Sequence, residues 1–185
     1  MKLIKILIFL FISFDTSLIA NSNDDLQNIL SEGGKLIFIR HAIAPGGGDP
    51  DNFNISNCAS QRNLNKEGIE QAKTIGKFFL KNYKNPNLVL SSEWCRCKQT
   101  SEHAFKTFET KSFLNSFFSQ KFANNKTKQI KELKEFIQNW DSKANLVLVT
   151  HYVLISEILN YYPSSGEIIV TDKKFNILSK LKIKY

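Results

Sequence analysis

Three short apolar runs without alternation punctuate the chain: KLIFIRH at 35–41, NLVLSS at 87–92 and NLVLVTH at 145–151. Continuous runs rich in Ile, Leu and Val are the pattern of strands covered on both faces of a parallel sheet. Between them the apolar period changes. Ile69, Ala72, Ile75, Gly76, Phe79, Leu80 and Tyr83 recur every three or four residues, which predicts a helix over 65–83 with Asn65 as its N-cap. Further helices are predicted from about Arg96 to Phe108, through Ile130, Leu133, Phe136, Ile137 and Trp140, and from His151 to about Tyr161, where Pro163 ends the run. The tail GEIIVTDKKFNILSKLKI holds two strand-like runs around an Asp-Lys-Lys turn, a hairpin in outline. The expected fold is α/β, a three-layer α/β/α sandwich with a mostly parallel central sheet. Residues 42–62, rich in Gly, Pro, Asn and Ser, form a long loop after the first strand, and loops of that length in compact domains tend to be functional.

The opening MKLIKILIFLFISFDTSLIA departs from this picture. Lys2 and Lys5 precede an apolar stretch from Ile6 to Phe14, and the segment closes on Ala20, the layout of a secretory signal peptide over 1–20. The stretch is short for a bilayer span and Asp15 interrupts it, so no stable membrane insertion is expected after cleavage near Ala20; an uncleaved N-terminal anchor is the alternative, since Leu18, three before that cut, is larger than a signal peptidase usually accepts. The body, 21–185, is then a single domain outside the cytoplasm, periplasmic or secreted. At 42% hydrophobic and 23% charged residues, composition excludes general disorder. Net charge is +8, of which +7 stays with the body, which suits anionic ligands. The lysines are scattered and no basic run interleaves with aromatics, so nucleic acid is not an expected partner. Of the three cysteines, Cys95 and Cys97 would point apart on a helix, which leaves a bridge from Cys58 to one of them. Close-set ligand pairs for zinc are missing, so no metal or other cofactor is expected.

In open α/β sheets, ligands sit beyond the carboxyl ends of the strands. The first strand delivers Arg40 and His41, the second leads through Ser91 and Ser92 toward Arg96, and the third delivers Thr150 and His151. The third histidine, His103, falls inside a predicted helix and needs no functional reading. Two guanidiniums can neutralise a phosphoryl dianion through paired N–H donors, and a neutral imidazole is a nucleophile near pH 7. The set points to phosphoryl transfer through a phosphohistidine.

At these residues the chain resembles the histidine phosphatase superfamily, the phosphoglycerate mutase-like enzymes. RHA at 40–42 stands where the Arg-His-Gly motif falls, and NLNKEGIEQA at 63–72 is similar to its leucine-x-x-x-glycine signature. SSEWCRCKQT at 91–100 is similar to its serine-to-arginine turn, and VLVTHY at 147–152 to the strand with the second histidine. The resemblance covers about Leu36 to Tyr152. It implies His41 as nucleophile, with Arg40, Arg96 and His151 as the catalytic phosphate pocket. The signal peptide, the short chain and NCASQRNL make it look most like the small exported branch, some members of which are associated with phosphates on envelope lipopolysaccharide. Arg62, in SQRNL, is a candidate substrate ligand from the long loop. Trp94 and the phenylalanine-rich SFLNSFFSQKF at 112–122 read as core or lid packing.

Two departures from the family pattern matter. Ala42 replaces a glycine, which would cost backbone freedom wherever φ is positive. The family's proton donor is commonly a carboxylate between the second arginine and the second histidine. Glu102, Glu109, Glu132, Glu135 and Asp141 fall in that interval, none in a recognisable motif. Without a strong acid, good leaving groups such as aryl phosphates, acyl phosphates or phosphohistidine are favoured. The expected function is an exported phosphomonoesterase, a histidine phosphatase acting on a small phosphorylated substrate, with envelope glycolipid phosphate as one form. The alternative is a phosphate-binding module of the same fold with little or no catalysis. A mutase fits less well, since the stretch between Arg96 and His151 is short of the family's longer insert.

Overall fold

The computed structural model describes residues 22–83, 88–140 and 143–185. In chain order these form α1 (Ser22–Ser31), β1 (Leu36–Arg40), α2 (Lys66–Asn82), β2 (Leu88–Ser91), α3 (Cys95–Phe105) and β3 (Glu109–Thr110). Then come α4 (Lys126–Asn139), β4 (Leu146–Thr150), α5 (Tyr152–Leu159), β5 (Ile168–Thr171) and β6 (Ile177–Leu181). The 1–20 segment read as a signal peptide lies outside the described residues.

The sheet has six strands in the order β3-β2-β4-β1-β5-β6. The four strands β3, β2, β4 and β1 pair in parallel, and the β5-β6 hairpin adds antiparallel to β1. The continuous apolar runs sort by parity, because successive side chains leave a strand on opposite faces. Leu36, Phe38, Leu90, Leu146 and Leu148 pack with Leu133 and Ile137 of α4 and with Leu154, Ile155 and Leu159 of α5. Ile37, Ile39, Val89, Val147 and Val149 face the other way, onto Leu26 and Leu30 of α1, Ile75 and Phe79 of α2 and Cys97 of α3. That is the expected three-layer sandwich. No helix among the described residues is long and apolar enough to cross a membrane.

Element ends show which local rule won. The Asn65 side chain accepts the Gly68 N–H at 2.8 Å, the predicted N-cap of α2. Gly68 itself is required by a close approach: a Cβ there would lie 2.0 Å from the carbonyl oxygen of Ile43. Helix α3 stops at Phe105, three residues before the sequence pattern does, because Lys106 turns to φ 65°. Helix α5 ends on Asn160 in the left-handed region, so a C-terminal turn and not Pro163 terminates it. Helix α1 and the two-residue β3 carry too little pattern to be read from sequence.

Candidate active site

Strand register assembles the site. β1 and β4 are neighbours with Arg40 opposite Thr150, so His41 and His151 leave the sheet side by side. The His41 N–H donates to the Thr150 carbonyl at 2.9 Å, and the two imidazole centroids are 5.5 Å apart, edge to face. β2 sets Ser91 opposite Val149, and the Ser92 N–H continues the ladder to the Val149 carbonyl at 2.9 Å. The chain then turns into α3, whose first turn holds Arg96. The orphan N–H of Cys95 at this helix start donates to Oε1 of Gln61 at 2.9 Å, and the Cys58–Cys95 disulfide ties the same two segments. The long loop is thereby fastened next to Arg96.

Hydrogen bonds fix the state of both imidazoles. Nδ1 of His41 lies 2.8 Å from the carbonyl oxygen of Ala42, which can only accept, so Nδ1 carries the proton. Nε2 is left with its lone pair, and among the described residues it has no hydrogen-bond partner. Burial first, then the Arg96 charge, push the His41 pKa well below its usual 6.5, so the ring is neutral at physiological pH. For His151 the logic runs through Asn115, whose Nδ2 donates to Glu93 at 2.6 Å. That orients Asn115 Oδ1 to accept the Glu93 N–H at 2.8 Å and the Ser92 hydroxyl at 3.0 Å. Ser92 Oγ, having given its one proton, accepts from Nε2 of His151 at 2.9 Å. Burial and the Arg96 charge lower the His151 pKa likewise.

Both histidines line a cavity of about 330 Å³ with Arg40, Arg62 and Arg96. These are the only arginines in the chain, and none of the described lysines lines the cavity. Only a guanidinium offers a planar fork that grips two oxygens of a phosphoryl group. Arg40 is aimed by an Nη1 bond to the Pro163 carbonyl at 2.8 Å, and Arg62 donates to the Gly46 carbonyl. Arg96 pairs with Asp49 at 2.7 Å. The Nε atoms of all three arginines are buried without a protein partner, so donors remain for an incoming anion.

Solved structures share this architecture at low identity. A protein from Agrobacterium tumefaciens assigned as phosphohistidine phosphatase SixA superposes with TM-score 0.56 at 19% identity, covering 80% of this chain and 98% of its own. The protein histidine phosphatase SixA complexed with tungstate gives 0.54 at 16%, covering 80% and 96%. The chain has the histidine phosphatase fold. A phosphoserine phosphatase variant from Entamoeba histolytica, bound to phosphoserine, matches at 0.55 and 14%, covering 79% and 95%. No protein-family model matches the chain, and a search of curated proteins finds no match.

All five residues singled out from the sequence, Arg40, His41, Arg62, Arg96 and His151, meet in this cavity. The carboxylate candidates do not. Glu109, Glu132 and Glu135 pair with Lys111, Lys128 and Lys131 on the surface, Glu102 is exposed on α3, and Asp141 lies outside the described residues. Among the described residues, the one acidic side chain lining the cavity is Asp49, from the glycine-rich loop. Its Oδ1 takes the Arg96 guanidinium and its Oδ2 accepts Nε1–H of Trp94 at 3.1 Å, a setting for an acceptor and not for a proton donor. Ala42 is absent from the positive-φ residues, so alanine costs no backbone strain at the glycine position. Its N–H donates to Thr100 Oγ1 at 2.9 Å. Sequence reading placed Ser92 on the way to Arg96 without a role toward His151 and missed Asn115, because the contacts among Ser92, Asn115 and His151 form only after folding.

Proposed function

We propose that the protein is a phosphomonoesterase that works through a phosphohistidine on His41. The observation that carries this reading is that every arginine in the chain lines one cavity together with His41, a neutral, tautomer-locked histidine. The guanidiniums hold the phosphoryl oxygens and spread the charge of the transition state. The Nε2 lone pair of His41 attacks phosphorus, the P–O bond to the leaving group breaks, and the departing oxygen leaves with the bonding pair as an anion that is protonated afterwards by solvent water, leaving hydroxide. Water then attacks the phosphohistidine, the P–N bond breaks with its electron pair returning to Nε2, the proton the water sheds passes to solvent and neutralises the hydroxide left by the first step, and phosphate departs. His151, whose Nε2–H is given to Ser92, keeps a lone pair on its other nitrogen, so it can take a proton but not donate one, and the phosphoryl oxygens are left to the guanidiniums.

An exported location fits the N-terminal layout and the Cys58–Cys95 bridge, since such bonds persist in oxidising compartments. Envelope glycolipid phosphate is a candidate substrate on family resemblance. The reading as a phosphate-binding module is favoured by one observation, the cavity carboxylate being tied up as an acceptor. Its other motive, strain at Ala42, is removed by the backbone geometry.

The deciding experiment is His41→Asn with an aryl phosphate and acid-quench trapping. Loss of turnover and of acid-labile phosphoenzyme, with vanadate binding kept, is the expected result; full turnover in the variant rules the mechanism out. Absence of turnover in the native protein, with vanadate still bound, selects the binding module.

A further inference from the structure

The cavity has two chemistries, and only one is used by phosphoryl transfer. Its floor is the arginine and histidine set; its rim is aromatic, built from Trp94, Phe118, Phe122 and Tyr152. The phenylalanine-rich segment that supplies this rim divides its side chains. Phe113 and Phe117 enter the core, whereas Phe118 stays 60% exposed at the cavity. An exposed phenylalanine alone means little. Here its ring sits 5.8 Å from that of Tyr152, which lies beneath the Arg40 guanidinium at 5.4 Å. The rest of the rim is a packed cluster in which the Trp94 ring stacks on Phe53 at 5.0 Å and meets Phe122 edge-on at 5.3 Å. Trp94 in that cluster is only 2% exposed, so the cluster backs the cavity wall, and the open ring face is that of Phe118.

A second observation is independent of the rim. Among the described residues the cavity presents no carboxyl group free to protonate a departing oxygen, because Asp49 is engaged by Arg96 and Trp94. The leaving group must then depart as a stable anion, which a phenol does far more readily than an alcohol. We infer that the rim around Phe118 selects phosphomonoesters of planar aromatic hydroxyl compounds, the ring seating against Phe118 while the arginines hold the phosphoryl group. The inference rests on the phosphatase reading above and names the substrate class of that site. The cavity, about 330 Å³, is at the small end of the range for ligand sites, which suits a phosphoryl group with one ring.

The test separates stacking from leaving-group acidity. Phenyl phosphate is compared with a fluorinated alkyl phosphate whose alcohol has been brought close to phenol in acidity. The native protein is expected to favour phenyl phosphate roughly tenfold in kcat/KM, the size of one good ring contact. Phe118→Ala should bring that ratio close to one, and Phe118→Tyr, which keeps the ring, should restore it. A native ratio near one, or a ratio untouched by Phe118→Ala, overturns the inference and leaves the phosphatase reading standing. Turnover of both esters by His41→Asn is the distinct result that removes the phosphatase reading itself.

Discussion

Replacing Asp49 by Asn tests whether this carboxylate competes with substrate for Arg96. In the free protein Asp49 Oδ1 accepts from Arg96 Nη1 at 2.7 Å and Oδ2 from Trp94 Nε1 at 3.1 Å, with side chains only 15% and 4% exposed for Asp49 and Arg96. A phosphoryl anion gripped by Arg96 would lie within about 5 Å of that carboxylate, where two unit charges repel by roughly 3 kcal/mol at an effective dielectric of about 20. Halving this for water in the open cavity leaves about 1.5 kcal/mol, or roughly tenfold in affinity. Asp49→Asn is therefore expected to bind vanadate about ten times more tightly by titration calorimetry. The same change should lower the stability of the free protein. An amide presents one donor and one acceptor, so either the Trp94 or the Arg96 N–H loses its partner, at about 1–3 kcal/mol. Urea unfolding without vanadate should show that loss, and saturating vanadate should recover it through linkage. Weaker vanadate binding in Asp49→Asn would refute the reasoning and make the carboxylate a device that orients Arg96 for the anion.

Because the pKa values of His41 and His151 lie well below 6.5 in the folded state, the unfolded chain binds more protons below that pH. Stability should fall as pH drops below about 6.5, by up to roughly 1.4 kcal/mol per pH unit for each histidine. Proton NMR of the native protein should show neither the His41 nor the His151 ring titrating near 6.5, and either of them doing so contradicts the assignment. Gly68→Ala should destabilise by roughly 1–3 kcal/mol in urea unfolding, since its Cβ would sit 2.0 Å from the Ile43 carbonyl oxygen; an unchanged midpoint argues against that close contact. Removing the disulfide with Cys58→Ser and Cys95→Ser, which opens a loop of 37 residues, should cost about 3–4 kcal/mol. The remaining thiol, Cys97, is buried and pushed up to about 12, so it should resist alkylation at pH 8 until the protein unfolds.

Much of the architecture was legible because it depends on local pattern. Uninterrupted Leu-Ile-Val runs can be strands only where both faces are covered, and the parity of Leu36 to Ile39 delivers those faces to two helical layers. The Asn65 cap was readable since its acceptor and donor are three residues apart. The four motif residues were legible for the same reason: each closes or follows a strand, and strand ends are where such folds place chemistry. The helix over Cys95–Phe105 was overextended because spacing continues past Lys106, where the backbone turns to positive φ. Which cysteine joins Cys58 was undetermined until Cys97 was found packed against the sheet and Cys95 facing the loop.

By itself, the sequence determined the layers, the strand ends and the placing of the His41 imidazole at one of them, because these follow from hydrophobic period and from residue type at element boundaries. Tertiary structure alone decided what surrounds that imidazole: that Asp49 and not a later carboxylate enters the cavity, that Ser92 and Asn115 set the His151 tautomer, and that Phe118 is left outside the core. Those partners are separated by tens of residues, and only the register of β1, β4 and β2 brings them within bonding distance, so no local pattern could announce them.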